Sequence, residues 1–389
     1  MSDALIKEIT EAYNYDQAHN AHPVTSTDEL PIAFEYLTAE WLTDALCRDV
    51  PGAKVTGFDL GGVDNGSSNR RRIALTYNDA GAASSVLPHS IFCKAAHNLA
   101  NRIVLGVGSS SESESNYYSK IRPWLDIESP VPYFVKLDTK TWNAMIILGD
   151  ISDSVTEFCN HHTVMTKARA ESQMRLLARL HGKCYSDQRL VAATRDNFLT
   201  WPDYFDRTKI FGMREGSEGG FQKSEGLLPD SVFARASEIW PGTLKSVDFH
   251  SHGMQTLAHH DVHLKNWYVA SDGEMGLSDW QCAVRGHWSR DVAYTLATAL
   301  TIDDRRAWED ELLRYYFDHL EAEGGPKVDF AEGKLNYAQQ MITALTWWTI
   351  TINPAPGMPD MQPLDITQEF IRRIGAAMED LGTMDALKD

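Results

Sequence analysis

The sequence predicts an α+β protein in two parts, a small antiparallel sheet followed by a larger, mainly helical region. Three observations predict it. The 389 residues exceed what one hydrophobic core sustains, about 250–300 residues. Between residues 55 and 148, short runs rich in β-branched and aromatic residues alternate with turn-formers, as strands do. Beyond Asp150 the apolar residues recur at helical spacing.

Composition narrows the function classes. With 43% hydrophobic and 23% charged residues the chain is a folded globular protein. Its 36 basic and 54 acidic side chains leave a net charge of −18, and no basic cluster exceeds Arg70-Arg71-Arg72, so nucleic acid is excluded as a partner. The polar first residues lack a basic segment followed by an apolar one, and no stretch approaches 18 consecutive apolar residues. The expectation is a cytoplasmic protein with no membrane partner; composition leaves the oligomeric state open. Cys47, Cys93, Cys159, Cys184 and Cys282 are odd in number and scattered, as reduced, packed thiols are.

Taken in order, residues 1–30 are polar, and the first clear element is a helix over 38–46. Thr38 caps it and Trp41, Leu42, Ala45 and Leu46 form its apolar stripe. Residues 55–60, 72–77 and 90–94 read as three strands of an antiparallel meander. The Ser/Glu tract 109–115 leads into a helix carrying Tyr117, Tyr118 and Ile121, after which 133–135 and 144–148 resume as strands. Residues 167–185 form a helix with Ala170, Met174, Leu177, Ala178 and His181 on one face. The glycine-rich stretch 212–228 reads as a long surface loop, a lid in the functional version of that reading. Helices return at the C-terminus.

The segment richest in chemistry runs from His259 through Asp261 and Asn266, then to Asp279 beyond a short hydrophobic hairpin. An Asp, an Asn five residues on, and a second Asp after a hairpin reproduce the spacing of the kinase catalytic loop and its metal-binding aspartate. Phosphoryl transfer needs one carboxylate to accept the acceptor's hydroxyl proton and hard oxygens to hold Mg²⁺. Upstream, Lys94 ends the third strand and Glu114 opens the next helix, the order of a phosphate-clamping lysine and its partner. The turn around Gly66, Ser67, Ser68 and Asn69 either covers phosphates with backbone N–H groups or is a plain hairpin turn; it does not match G-x-G-x-x-G.

Leu180-His181-Gly182, the run from His259 to Asn266, Asp279-Trp280, and Gly286 to Ala293 together resemble the aminoglycoside phosphotransferase and choline kinase-like superfamily. Asn266-Trp267-Tyr268, Asp279-Trp280-Gln281 and Gly286 to Tyr294 look most like its ecdysteroid-kinase-like branch. The resemblance spans roughly residues 55–300 in colinear order. It implies a protein-kinase-like two-lobed fold: an N-terminal helical extension over 1–54, a nucleotide-binding N-lobe of sheet and one main helix over 55–150, and a C-lobe over 151–389, with a cleft between the lobes. It implies ATP and Mg²⁺ as cofactors and a small-molecule hydroxyl acceptor. Asp261 would be the catalytic base, Asn266 and Asp279 the metal ligands, and Lys94 with Glu114 the phosphate clamp. Leu148 and Asp150 would lie at the adenine-side hinge, and Asp291 would support the catalytic loop. His260 stands where the family usually has Gly, and Gly149 where Glu is frequent.

Two other readings compete. His250, His252, His259, His260 and His263 resemble the His/Asp clusters of metal-dependent hydrolases, a reading that leaves Lys94, Glu114 and Asp279 without a role. A non-catalytic pseudokinase conflicts with retention of every charged group the transfer needs. For the acceptor, the relevant aromatics are Trp201, Tyr204, Phe205, Phe211, Phe221, Trp347 and Trp348. Most at helical spacing belong to a core, but two or three facing the cleft would make the pocket apolar, so the expected acceptor is a largely apolar alcohol or phenol.

Overall fold

The computed structural model describes residues 2–355 and 361–388. The chain divides into two compact units, Met1–Arg122 with Pro130–Asp153, and Pro123–Ser129 with Ser154–Asp389. The first holds an antiparallel sheet and the second is mainly helical, the α+β class that the sequence predicts.

In the first unit the strands are β1 (Val55–Leu60), β2 (Asp64–Asn65), β3 (Asn69–Tyr77), β4 (Ser90–Ala95), β5 (Pro132–Asp138) and β6 (Asn143–Gly149). They lie in the order β1-β3-β4-β6-β5, with β2 folded back on β3 as a hairpin. β1, β3 and β4 form the expected meander; β6 then lies beside β4, and β5 takes the edge. Alternation sends Ile73, Ile91, Cys93, Met145 and Ile147 to one face, where they pack with Trp41 and Leu42 of the helix Ala39–Leu46. Thr38 caps that helix, its Oγ1 accepting from the Trp41 amide at 3.1 Å.

The sequence places no element before that helix, yet Ser2–His19 is helical. Its periodicity is faint because charge anchors it as much as apolar surface. Ile9 is buried, Asp16 pairs with the buried Arg102 at 2.6 Å, and the Arg102 guanidinium lies 5.1 Å from the Tyr13 ring. The Ser/Glu tract is itself the helix Ser110–Asn116, so Glu114 sits inside it rather than at its start. Among the described residues of the first unit, the α-helices Ser2–His19, Ala39–Leu46, Asp79–Ala82, Leu99–Val107 and Ser110–Asn116 stand where the resemblance implies one main helix with a helical extension.

The second unit carries β7 (Val155–Phe158), β8 (Thr256–Ala258), β9 (Trp267–Ala270), β10 (Met275–Leu277) and β11 (Val284–Gly286). They form a β10-β9-β7 sheet and a β11-β8 pair among long helices, including Lys167–Ser186, Ser289–Ala299, Phe330–Ile352 and Leu364–Asp380. The long loop expected over 212–228 is instead largely the helix Met213–Lys223. Its glycines serve close packing. A Cβ on Gly220 would stand 1.8 Å from the Thr349 carbonyl oxygen in Phe330–Ile352, and one on Gly219 would stand 2.5 Å from Asn353. Gly212 and Gly226, at φ 69° and 75°, are turn glycines in the ordinary sense.

Candidate active site

The short strand β8 delivers the chain into the loop 259–263, and a tight turn at Leu264–Asn266 returns it to β9. Loops hold a fixed shape only when their backbone groups are satisfied. Here Asp291, in the first turn of Ser289–Ala299, does it. Its Oδ2 accepts from the His259 amide at 2.7 Å and its Oδ1 from the His260 amide at 2.8 Å. Burial alone would raise the Asp291 pKa, but its bond to His181, the two neighbouring imidazoles and the His259 amide together hold it below the usual range. His181 lies between Asp291 Oδ2, 3.2 Å away, and the Tyr316 hydroxyl, 2.7 Å away. The residue pair His181 and Asp291 is thus a buried post under the loop.

On that post stands Asp261. Its amide donates to His259 Nδ1 at 3.2 Å, while His259 Nε2 is 3.0 Å from the Ser278 carbonyl oxygen. The Asn266 side-chain amide donates to the Asp261 carbonyl at 2.7 Å and to its Oδ2 at 3.2 Å. The five-residue spacing is therefore the span that one Asn side chain closes across the loop. With its NH₂ on Asp261, Asn266 Oδ1 is the atom left to meet a cation. Leu277 pairs with Trp267 across β9 and β10, so Ser278 follows opposite Asn266, and both its amide and its hydroxyl donate to the Asn266 carbonyl, at 2.9 and 3.0 Å. Asp279 comes next, in left-handed backbone at φ 65°, a conformation costing an L-residue roughly 1 kcal/mol or more. Asp261 and Asn266 are brought together directly, and Asp279 through the hairpin. The donor set, an amide oxygen and a carboxylate, fits Mg²⁺, a hard ion that takes oxygen ligands.

His260 also occupies left-handed backbone, at φ 66°, which is why a Gly would fit there without strain. Its ring lies 4.3 Å from that of Trp201, and its Nδ1 accepts from Arg290 Nε at 3.2 Å. Arg290 is fully buried, with its guanidinium 5.0–5.7 Å from the rings of Tyr294, Trp201 and Trp347. Burial first, then Arg290, pushes the His260 pKa well down, so the imidazole is neutral. Arg290 lies in the motif from Gly286 to Ala293 and Trp201 is among the acceptor-side aromatics, but their contacts with His260 have no local sequence signature, because each meets it from a distant part of the chain.

In the first unit, Lys94 Nζ and Glu114 Oε1 are 2.6 Å apart, with both side chains more than nine-tenths buried. The expected clamp is thus a closed ion pair. Asn69 and Arg70 lie beside it on β3, Arg70 opposite Lys94 and Asn69 opposite Ala95. Residues 66–69 lie at a hairpin turn in which the Gly66 amide donates to the Ser68 carbonyl at 3.0 Å. The Asn101 side chain donates to the Gly66 and Ser67 carbonyls at 2.8 and 2.5 Å, and Asn69 Oδ1 accepts from the His97 amide at 2.8 Å. Asn101 is a supporting residue that sequence reasoning missed, since only the fold brings positions 35 apart together. Leu148 is buried in β6. Asp150 follows it, and its carboxylate accepts from Ser90 Oγ at 2.9 Å and from the Ser152 amide at 3.0 Å, with Arg72 3.6 Å away. Burial opposes these groups, which together still lower its pKa.

In the histidine-rich segment His250 and His259 spend both ring nitrogens on the fold, while His260 Nε2 and His263 Nδ1 are buried without a hydrogen-bond partner. His250 Nε2 meets Gln340 Oε1 at 2.9 Å while its Nδ1 accepts from the His287 amide at 2.9 Å, and burial lowers its pKa to about 4. The aromatics proposed for the acceptor side are mostly core: Trp201, Tyr204 and Phe205 pack together with Met213 and Trp240, Phe221 stacks on Phe233, and Trp348 packs on His263 and Phe370. Phe211 and Trp347 are half-buried.

Residues 155–328 match the sequence model of APH, the phosphotransferase enzyme family, a span that holds Asp261, Asn266, Asp279 and Asp291. The matched family is one of phosphotransferases, and the match covers 174 of the 389 residues. Among solved structures, the chain is similar to an ethanolamine kinase from Plasmodium vivax, at 10% identity and TM-score 0.46, over 96% of this chain and 94% of that one. It is similar to a microcompartment-associated aminopropanol kinase at 13% identity and TM-score 0.49 (85% and 94%), and to aminoglycoside 2'-phosphotransferase-IIIa at 10% and 0.48 (87% and 98%). No curated protein matches the sequence.

Proposed function

We propose that this chain transfers the γ-phosphoryl group of ATP, held with Mg²⁺, to the hydroxyl of a small, largely apolar alcohol or phenol. The observation that carries the reading is the Asp291-clamped loop, in which the Asn266 amide fixes an Asp261 carboxylate that remains partly open to solvent. Asp261 takes the proton from the acceptor hydroxyl as its oxygen bonds to the γ-phosphorus and the bond to the leaving ADP oxygen breaks. Mg²⁺, when bound by Asn266 Oδ1 and Asp279, neutralises charge on the phosphates. Lys94, oriented by Glu114, contacts the same phosphates, with residues 66–69, Leu148 and Asp150 on the nucleotide's side. The sequence around 266–268, 279–281 and 286–294 supports the ecdysteroid-kinase-like branch. His260 and His263, on either side of Asp261 in the loop, pack on the buried rings of Trp201 and Trp348, and the half-buried Phe211 and Trp347 are the acceptor-side aromatics on which the choice of an apolar acceptor over a polycation rests.

Among the described residues no helix is long and apolar enough to cross a membrane, and none of the five cysteines is in a disulfide. Both fit the cytoplasmic site of action we assign.

The test is a titration with a non-hydrolysable ATP analogue and Mg²⁺, followed by an ATP-consumption screen over sterols, phenolics, choline and kanamycin-type sugars. Asp261→Asn should lower turnover by about 10²–10⁴-fold while leaving nucleotide affinity and thermal stability near wild type. Absence of nucleotide binding would end the kinase reading. Efficient turnover of an aminoglycoside with none of the apolar alcohols would overturn the acceptor class alone.

A further inference from the structure

Away from the catalytic loop, three metal-ligating side chains converge in the second unit. The turn after β7 carries His161 and His162, and Asp365 stands in the first turn of Leu364–Asp380. One ligand atom from each lies within 4.8 Å of the other two. His161 Nε2 is 3.5 Å from Asp365 Oδ2, and the two imidazole rings are 3.8 Å apart, tilted by 40°.

The turn is held in shape without any ion. The His162 amide donates to Asn160 Oδ1 at 2.8 Å, the Asn160 amide donates to Thr163 Oγ1 at 3.0 Å, and that hydroxyl donates to Glu157 Oε1 at 2.7 Å. Arg373, two turns along the helix that bears Asp365, donates to the His161 carbonyl at 3.0 Å. The other charged groups nearby, Glu369 with Arg372 and Arg373, are paired with one another. Preorganisation of this kind lowers the cost of binding.

A second observation points to a ligand. The His161 side chain is only 10% exposed, and its Nδ1 is buried with no hydrogen-bond partner. Nearly all buried polar atoms are satisfied, whereas this ring has Nε2 turned to Asp365 at 3.5 Å and no hydrogen bond at Nδ1, so its protein partners alone do not saturate it.

We infer that His161, His162 and Asp365 form a site for a borderline-soft divalent transition ion of the zinc class, with a fourth position left to water. Two imidazoles and one carboxylate are ligands for such ions rather than for Mg²⁺ or Ca²⁺. Donors around a tetrahedral ion at 2.0–2.2 Å lie about 3.3–3.6 Å apart, so the group needs only a small closure, which the exposed His162 and Asp365 side chains can make. The ion would staple the turn after β7 to the start of Leu364–Asp380. Just before that helix, Gln362 accepts from Lys265 of the catalytic segment at 2.6 Å. The site stands independently of the phosphotransfer assignment.

The test uses the tag-free full chain, stripped with chelator and titrated calorimetrically with Zn²⁺, with Co²⁺ absorption as a second readout. One Zn²⁺ per chain is expected, with an intense tetrahedral Co²⁺ band. His162→Ala and Asp365→Ala, both at exposed positions, should each weaken binding at least about tenfold, the scale on which even outer-shell partners count. They should also abolish the rise in melting temperature that Zn²⁺ gives the wild type. His252→Ala, at another exposed histidine, should change nothing. Absence of saturable Zn²⁺ uptake, or uptake that both His162→Ala and Asp365→Ala leave intact, would overturn the site.

Discussion

The two units bury polar chemistry in different ways. Around β4, the first unit encloses full charges in pairs, Lys94 with Glu114 and Arg102 with Asp16. Around Asp261, the second unit encloses imidazoles. His181, His250, His259, His260 and His263 are all buried, and the carboxylate beneath the loop, Asp291, is satisfied mainly by backbone amides and a histidine. A buried ion pair repays its desolvation only while both partners remain. A buried neutral imidazole is inexpensive until the solution offers it a proton. The difference makes the first unit sensitive to substitution and the second sensitive to acid.

The largest expected effect follows from the histidines. Burial, more than any other cause, lowers the pKa of His250 to about 4 and that of His287 to about 3, and it lowers those of His259, His260 and His263 as well. Unfolded, each titrates near 6.5, so below that pH the unfolded chain binds the extra protons. Stability is therefore complete above about pH 6.5 and falls as pH drops toward the folded values. At 1.36 kcal/mol per pKa unit, His250 and His287 together remove on the order of 6 kcal/mol by pH 4. The first unit has one comparable group, His97, lowered to about 3 by burial foremost. Hydrogen exchange at pH 7 and pH 4.5 should show protection lost first over residues 250–299. Loss beginning in β3 and β4 would break the comparison.

A smaller effect tests the paired charges. Lys94→Ala leaves the Glu114 carboxylate buried without its cation, and breaking such a pair costs about 3–5 kcal/mol. A Lys94→Met, Glu114→Leu double variant should recover much of that stability while recovering none of the nucleotide binding. Thermal melts of the single and double variants check the first statement and an ATP-analogue titration the second. A double variant no more stable than Lys94→Ala would mean that the pair does not act as a unit.

How much of this was legible depended on the range of the interaction. The strands of the meander, the Thr38 cap and the Asp261–Asn266 spacing are local, and a period of 2, a capping residue and a five-residue interval each left a mark in the sequence. The helix Met213–Lys223 was misread because glycine means a turn to a local reading, whereas here Gly219 and Gly220 make room for Phe330–Ile352, more than a hundred residues on. Ser2–His19 was unread because an Asp16–Arg102 bond supplies what an apolar stripe would otherwise show. Lys94 and Glu114 could be named, but not their enclosure, and the Asn101, Trp201 and Arg290 contacts have no local signature at all.

The smallest expected effect sets the scale for the charged pair from within the same unit. Thr38 makes two neutral hydrogen bonds: its hydroxyl accepts from the Trp41 amide at 3.1 Å and donates to the Val24 carbonyl at 2.6 Å. Thr38→Ala removes both, yet leaves no charge stranded, and loss of an N-cap typically costs about 1 kcal/mol. The helix it starts carries Trp41 and Leu42 into the core against β3, β4 and β6, so the loss should register in global unfolding and not only as fraying. Thr38→Ser keeps the hydroxyl and should restore most of the difference, which separates the cap from the packing of the lost methyl. Chemical denaturation of the three proteins decides it. A Thr38→Ala penalty equal to that of Lys94→Ala would mean that the first unit responds to any buried polar loss alike, and that its ion pairs carry no special weight.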